Sequence, residues 1–303
     1  MQNKKILIIG GTGFIGYHLS KRCLKLNWAI TSISLNRPKK IRKLKNIKYL
    51  RCNISKKKKL DNLLKNKKFD YVVNLGGYVD HLNKKKVFES HYIGVKNLFS
   101  TLRDKNIFSF IQIGSSNEYG NNRSPHNENM YCKPKMIYGK YKNLATNFLL
   151  NCYKKYHFPV TVIRFYQLYG PGQDLNRFIP QLIFSCLNKE KFYTSTGEQS
   201  RDFLYIDDAI ESIIKSIKNK NNKGKIINIG SGKPMKLKNV MKILEKKIKN
   251  FNPVYGKLRL RKDEPKIVYP NTNLAKKVLM WNNRISFSKG IKKTINYYKK
   301  SFL

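Results

Sequence analysis

The chain alternates between two hydrophobic patterns. Short apolar runs of the kind buried on both faces of a parallel sheet fall at Lys5–Ile9, Ala29–Leu35, Lys48–Cys52, Tyr71–Leu75, Phe108–Ile113 and Val160–Phe165. Between them, longer mixed stretches predict helices over Phe14–Leu26, Lys57–Leu64, Lys84–Asp104 and Tyr138–Tyr156. A strand–helix–strand order of this kind requires an α/β fold: a doubly wound, mostly parallel sheet with right-handed crossovers. Helices then cover both faces, and a ligand sits at the C-terminal strand ends. From Gln167 onward the pattern is less regular. The chain therefore divides into a first region, 1–166, and a smaller C-terminal one, 167–303, whose segment Phe203–Ile217 is expected to return to the main sheet. No repeat or linker marks an independently folded unit.

Candidate chemistry begins where the first strand ends. Ile6-Leu7-Ile8-Ile9 runs into Gly10-Gly11-Thr12-Gly13-Phe14-Ile15-Gly16. Glycines at this spacing allow a tight turn, close backbone approach to a phosphate and close helix packing, and the helix dipole then favours the anion. Downstream, four of the nineteen tyrosines have Lys four positions later: Tyr17, Tyr92, Tyr131 and Tyr138. Tyr17 belongs to the first helix, Pro134 interrupts the turn after Tyr131, and Tyr92 precedes the strand that ends in hydroxyls. Only Tyr138/Lys142 follows that strand, whose end is Ser115-Ser116, and opens a long helix that places both side chains on one face.

With these residues the chain resembles the extended short-chain dehydrogenase/reductase family, the NAD(P)-dependent nucleotide-sugar epimerases, dehydratases and reductases. The match runs almost end to end. It comprises the glycine loop, Gly114-Ser115-Ser116-Asn117-Glu118-Tyr119-Gly120, Tyr138-Gly139-Lys140-Tyr141-Lys142 and Arg164-Phe165-Tyr166-Gln167-Leu168-Tyr169-Gly170-Pro171-Gly172. Gly197-Glu198-Gln199-Ser200-Arg201-Asp202-Phe203 with Asp207-Asp208, and Asn228-Ile229-Gly230-Ser231-Gly232, complete it. The resemblance implies a Rossmann domain binding NAD(P) over 1–166 and a nucleotide-sugar-binding region over 167–303. It implies Ser115, Tyr138 and Lys142 as catalytic residues. Cofactor contacts would come from Gly10, Thr12, Gly13, Phe14, Ile15, Gly16, Ser34, Arg37, Asn53, Ile54, Leu75, Tyr138 and Lys142, and substrate contacts from Ser116, Asn117, Gln167, Arg177, Arg201 and Arg261. It also implies a homodimer built on the helices Lys84–Asp104 and Tyr138–Tyr156.

Composition changes this picture little. The 303 residues can bury a large core, and no apolar run approaches the roughly 20 residues needed to span a bilayer. Five scattered cysteines and five histidines suggest neither a disulfide framework nor a metal site, and a reducing cytoplasm fits best. The net charge of +46 raises nucleic acid or membrane as partners. However, the lysines fill nearly every loop and helix without an arginine–aromatic stripe, so neither partner is expected. The charge should instead steer anionic nucleotide sugars.

Departures from the family pattern narrow the reaction. The family resemblance puts the ribose-binding acid of an NAD site at Ser34, with Arg37 close behind. Loss of that carboxylate and a nearby bidentate cation favour NADP, with NAD as the alternative. Positions that carry acids in the family's 4,6-dehydratases hold Ser116 and Asn117, and Glu118 is expected to point away, so dehydration is disfavoured. Gln167 and His91 each replace an Asn. The reading is NAD(P)H-dependent reduction of a nucleoside-diphosphate 4-keto-6-deoxy-sugar at C4, with Tyr138 giving the proton. A 4-epimerase with tightly bound NAD is the alternative, and a non-catalytic nucleotide- or RNA-binding protein a remote one.

Overall fold

A computed structural model describes residues 3–78, 82–248, 252–259 and 264–302. Its centre is a seven-stranded parallel sheet: β1 (Lys5–Ile9), β2 (Ala29–Ser34), β3 (Ile47–Arg51), β4 (Tyr71–Asn74), β5 (Ser109–Ser115), β6 (Val160–Phe165) and, entering later, β10 (Ile226–Ile229). The spatial order is β10-β6-β5-β4-β1-β2-β3. The direction of winding reverses between β1 and β4, which opens a crevice beyond their C-terminal ends. Ile6, Leu7 and Ile8 are wholly buried because helices cover both faces of the sheet.

One layer holds α2 (Lys57–Leu64), α3 (Lys84–Phe88), α4 (Gly94–Leu102) and α5 (Ile137–Tyr156). The other holds α1 (Phe14–Lys25) and α7 (Ile206–Lys218), which pack on each other. The single helix expected over Lys84–Asp104 is interrupted by a π-helical turn, Glu89–Ile93, that carries the buried His91. The imidazole packs against Gly77, where a Cβ would lie 1.9 Å from His91 Cε1, so His91 leaves no room for a side chain at that position.

The C-terminal region builds a small sheet from β7 (Gln167–Tyr169), β9 (Ser200–Tyr205), β11 (Pro234–Lys236) and β13 (Ile267–Val268), with β8 (Lys191–Tyr193) pairing β12 (Asn252–Val254). Helices α6 (Phe178–Leu187), α8 (Leu237–Glu245), α9 (Asn273–Leu279) and α10 (Phe287–Phe302) surround it. The return to the main sheet is displaced from its expected place. Residues 203–205 stay in the small sheet, α7 packs on β5 and β6 as a helix, and the seventh strand is β10, paired with β6 from Ile226↔Val162 to Ile229↔Phe165. The cause is α7's own pattern: Ile206, Ala209, Ile210, Ile213, Ile214 and Ile217 form a helical stripe and are buried.

Candidate active site

The crevice is a cavity of about 590 Å³ lined from the C-terminal ends of β1, β2, β4, β5 and β6, a size ordinary for a small-molecule site. At one end stands the glycine loop. Gly10 has φ of +79°, and a Cβ there would lie 3.0 Å from the Leu75 and Gly76 backbone. A Cβ on Gly16 would come within 2.5 Å of Gly10 O and Gly11 Cα, so α1 can start against the loop only without a side chain. Gly13 precedes α1 in an extended conformation, no side chain caps the helix and no acid occupies its first turn. Gly10, Thr12, Gly13, Phe14, Ile15 and Gly16 all line the cavity. Free helix N–H groups beside a backbone surface of this kind suit a pyrophosphate, so the residues present fit a dinucleotide.

Ser34 ends β2 with its Oγ accepting from the Thr12 N–H at 3.3 Å, which ties the strand to the loop. Ser34, Leu35 and Asn36 line the cavity, whereas Arg37 is exposed and outside the lining. Asn53, Ile54 and Leu75 line it too. Asn53 Oδ1 accepts from the Ser55 N–H at 3.0 Å, which fixes the side chain within its own turn.

At the other end Ser115, Tyr138 and Lys142 come together. Ser115 closes β5, and its hydroxyl is hydrogen-bonded with that of Tyr138. Lys142 lies one turn along α5, its Nζ 5.9 Å from the centre of the Tyr138 ring and donating to Ile113 O at 2.6 Å. Ser115 and Tyr138 line the cavity, and Lys142 stands behind them, buried. Burial pushes the Tyr138 hydroxyl up to about 12, with Glu118 adding to the rise and Ser115 and Arg177 opposing it. Burial also brings the Lys142 ammonium down to about 8, with Glu118 opposing. The His91 ring meets Tyr138 edge-on at 5.0 Å. A phenol kept protonated, a hydroxyl beside it and a nearby ammonium are the parts needed to move a proton at a substrate oxygen.

The expected substrate residues divide. Gln167 and Arg177 line the cavity, Arg177 at the residue preceding α6. Ser116 and Asn117 turn into a short helical turn outside the lining, because Ser115 caps that turn by accepting from the Asn117 N–H at 3.2 Å. Arg201 is also outside the lining, paired with Glu264 at 2.5 Å and donating to Ser200 O at 2.8 Å. Arg261 falls outside the described residues.

Sequence reasoning missed Gly76, Gly77 and Phe203 as wall residues and did not foresee what holds the wall at Asp174. Asp174 is gripped by Lys39 at 2.8 Å and Arg42 at 3.0 Å, and the buried Arg42 guanidinium also donates twice to Gly172 O, at 3.1 and 2.7 Å. The signal was the basic loop itself, which reads as solvated lysine. Among the described residues, no group of three or more His, Cys, Asp or Glu could hold a metal ion, and no helix is long and apolar enough to cross a membrane.

Known proteins share this fold. The chain is 30% identical to the dTDP-D-glucose 4,6-dehydratase of Dictyostelium discoideum over 75% of its length, and that match spans 58% of the longer relative. It is 27% identical to the UDP-glucuronate 4-epimerase of Thermodesulfobacterium geofontis, over 97% of this chain and 96% of that one. The crystal structure of UDP-glucuronic acid 4-epimerase from Bacillus cereus, in complex with UDP-glucuronic acid and NAD, superimposes with a TM-score of 0.88. It is 24% identical, over 98% of this chain and 99% of that one. The model of one family matches residues 6–230, from β1 through β10, and the chain belongs to it: the NAD dependent epimerase/dehydratase family.

Proposed function

We propose that this protein reduces a nucleoside-diphosphate 4-keto-6-deoxy-sugar at C4, with NADPH as the dissociating co-substrate. The observation that carries the reading is the end of β2. Ser34 stands there with its hydroxyl committed to Thr12, and the side chain of Arg37 is exposed just beyond the lining residues Leu35 and Asn36. This leaves no carboxylate to repel a 2′-phosphate and provides a bidentate cation to hold one. A reduced nicotinamide supplies hydride to C4. Tyr138, a phenol whose value burial pushes up further to about 12, gives its proton to the C4 oxygen while Ser115 donates to that oxygen or orients it. Lys142, behind the pair, would stabilise with its ammonium the phenolate left on Tyr138 until solvent returns the proton, and would hold cofactor hydroxyls if its Nζ turned from Ile113 O. Gln167 and Arg177 line the sugar and diphosphate side. We further propose that the enzyme works as a cytoplasmic homodimer through the helical segments Lys84–Asp104 and Tyr138–Tyr156.

Dehydration lacks an acid. Asp174 is the one carboxylate lining the cavity among the described residues, and Lys39 and Arg42 hold it. A second reading, an NAD-dependent 4-epimerase, is favoured by the similarity to the epimerases above. The two readings part on stoichiometry. Loss of one NADPH per sugar, with a nucleoside-diphosphate 4-keto-6-deoxy-sugar as substrate, supports the reductase. Redox-neutral interconversion of two nucleotide sugars, by protein that carries NAD and needs none added, replaces it with the epimerase.

A further inference from the structure

Directly behind the Ser115–Tyr138 pair is a carboxylate that the proposed chemistry does not use. Glu118 is wholly buried, and so is Arg164, with which it pairs at 2.7 Å. Its two oxygens are fully engaged. Oε1 accepts from the Ser115 N–H at 2.8 Å, and Oε2 accepts from Thr146 Oγ1 at 2.8 Å and from Arg164 Nε and Nη2 at 3.0 and 2.7 Å. These donors come from three elements. Ser115 is the last residue of β5, Arg164 lies on β6, and Thr146 lies on α5 two turns past Tyr138 on the face it shares with Lys142. A buried ion pair is poor value as a stabiliser, because desolvation of both charges cancels most of their attraction. The geometry provides another role for it.

We propose that Glu118 is a positioning residue: by tying the end of β5 to α5 across the Arg164 anchor, it fixes the Ser115 hydroxyl against the Tyr138 hydroxyl and keeps a negative charge beside the Tyr138/Lys142 pair. This inference rests on the reading of Tyr138 as the proton donor. The charged and titratable groups facing Glu118 are Arg164 from β6, Lys142 and Tyr138 from α5, Cys132 from the loop before α5, and Tyr119 from its own turn. Arg177 and His91 face Tyr138 from the other side. The charge acts in one direction on both α5 groups, raising the Tyr138 and the Lys142 values, so removing it moves both toward acid.

The test separates geometry from charge with two substitutions, measured by NADPH oxidation with dTDP-4-keto-6-deoxyglucose and by quenching of NADPH fluorescence on binding. Thr146→Val removes one tie and keeps the charge, and kcat should fall several-fold with KM, NADPH affinity and the pH profile unchanged. Glu118→Gln keeps the shape, and kcat should fall on the order of tenfold. Its alkaline limb should move toward acid by about one unit, again with little change in KM. If Glu118→Gln fails to fold because Arg164 is left with an uncompensated charge, Glu118→Gln/Arg164→Gln removes both charges: kcat should still fall on the order of tenfold, with a smaller shift of the alkaline limb. Folded variants with wild-type kcat and pH profile would overturn the proposal, as would a Thr146→Val enzyme of normal kcat where neither Gln variant folds. Tyr138→Phe is the parallel control: if it stays active, the proton-donor reading fails, whereas an inactive Tyr138→Phe beside normal Glu118 and Thr146 variants condemns this inference alone.

Discussion

The two ends of the cavity are built from different materials. The end proposed to take the phosphates is backbone: Gly10, Gly13 and Gly16 present peptide groups to the cavity, and what matters is the absence of side chains. The proton-transfer end is side chains: Ser115, Tyr138 and Lys142, held from behind by Glu118, Thr146 and Arg164. A backbone cradle is encoded locally, within seven consecutive residues. A side-chain cluster must be assembled from β5, β6 and α5, so its precision depends on buried polar bonds between distant parts of the chain. The first should fail when an atom is added, the second when an atom is removed.

The sharpest test of that contrast is the removal of a single oxygen. Tyr138→Phe should cut turnover by about 100-fold or more while leaving NADPH or NAD binding intact by fluorescence titration. Undiminished turnover would end the proposed mechanism. The complementary test adds a single carbon. Gly16→Ala places a methyl group 2.5 Å from Gly10 O, where only backbone can give. Overpacking of this sort costs about 1–3 kcal/mol, and it should appear as cofactor affinity weakened at least tenfold. An alanine variant that binds as well as the parent would show that the cradle is not the phosphate site.

Burial of Lys142 gives a pH signature on the side-chain end alone. Its value in the folded protein, about 8, lies below its ordinary 10.5. The folded state therefore penalises the charged form. That penalty is fully present below about pH 8 and fades as pH rises toward 10.5, where the unfolded chain also loses the proton. Relative to Lys142→Met, the unliganded protein should gain up to roughly 3 kcal/mol across that window, read from denaturant midpoints. A pH-independent difference would mean that Lys142 is hydrated in solution. The smallest expected effect concerns the edge of the backbone end. Arg37→Ala should weaken NADPH binding about tenfold, the worth of one charge-assisted contact, and leave NADH unchanged. Equal effects on both would remove the basis for NADP.

The same contrast explains what could be read from the sequence. The glycine loop, the order of strands and helices and the shared face of Tyr138 and Lys142 are local patterns, and the fold shows each of them. The Glu118–Arg164 pair joins residues 46 apart, and it exists only because β5 and β6 are neighbours. Glu118 was expected to point away from the pocket, and it does, but its destination depends on tertiary structure. The π-helical turn at Glu89–Ile93, which carries His91 against Gly77, is likewise hidden in an ordinary helical pattern. Strand β10 was missed because four residues carry little pattern by themselves. Arg201 sits in a convincing motif, yet its guanidinium is taken by Glu264, a partner 63 residues away.

The grip of Arg42 and Lys39 on Gly172 and Asp174 joins two segments about 130 residues apart, one following β2 and one following β7. The first segment follows the strand proposed to meet the adenosine, and the second forms the wall proposed to meet the sugar. Where binding of one ligand tightens that contact, the other ligand should gain affinity by the same factor. The clamp thus gives the two ends of the cavity a physical link that the empty protein already contains.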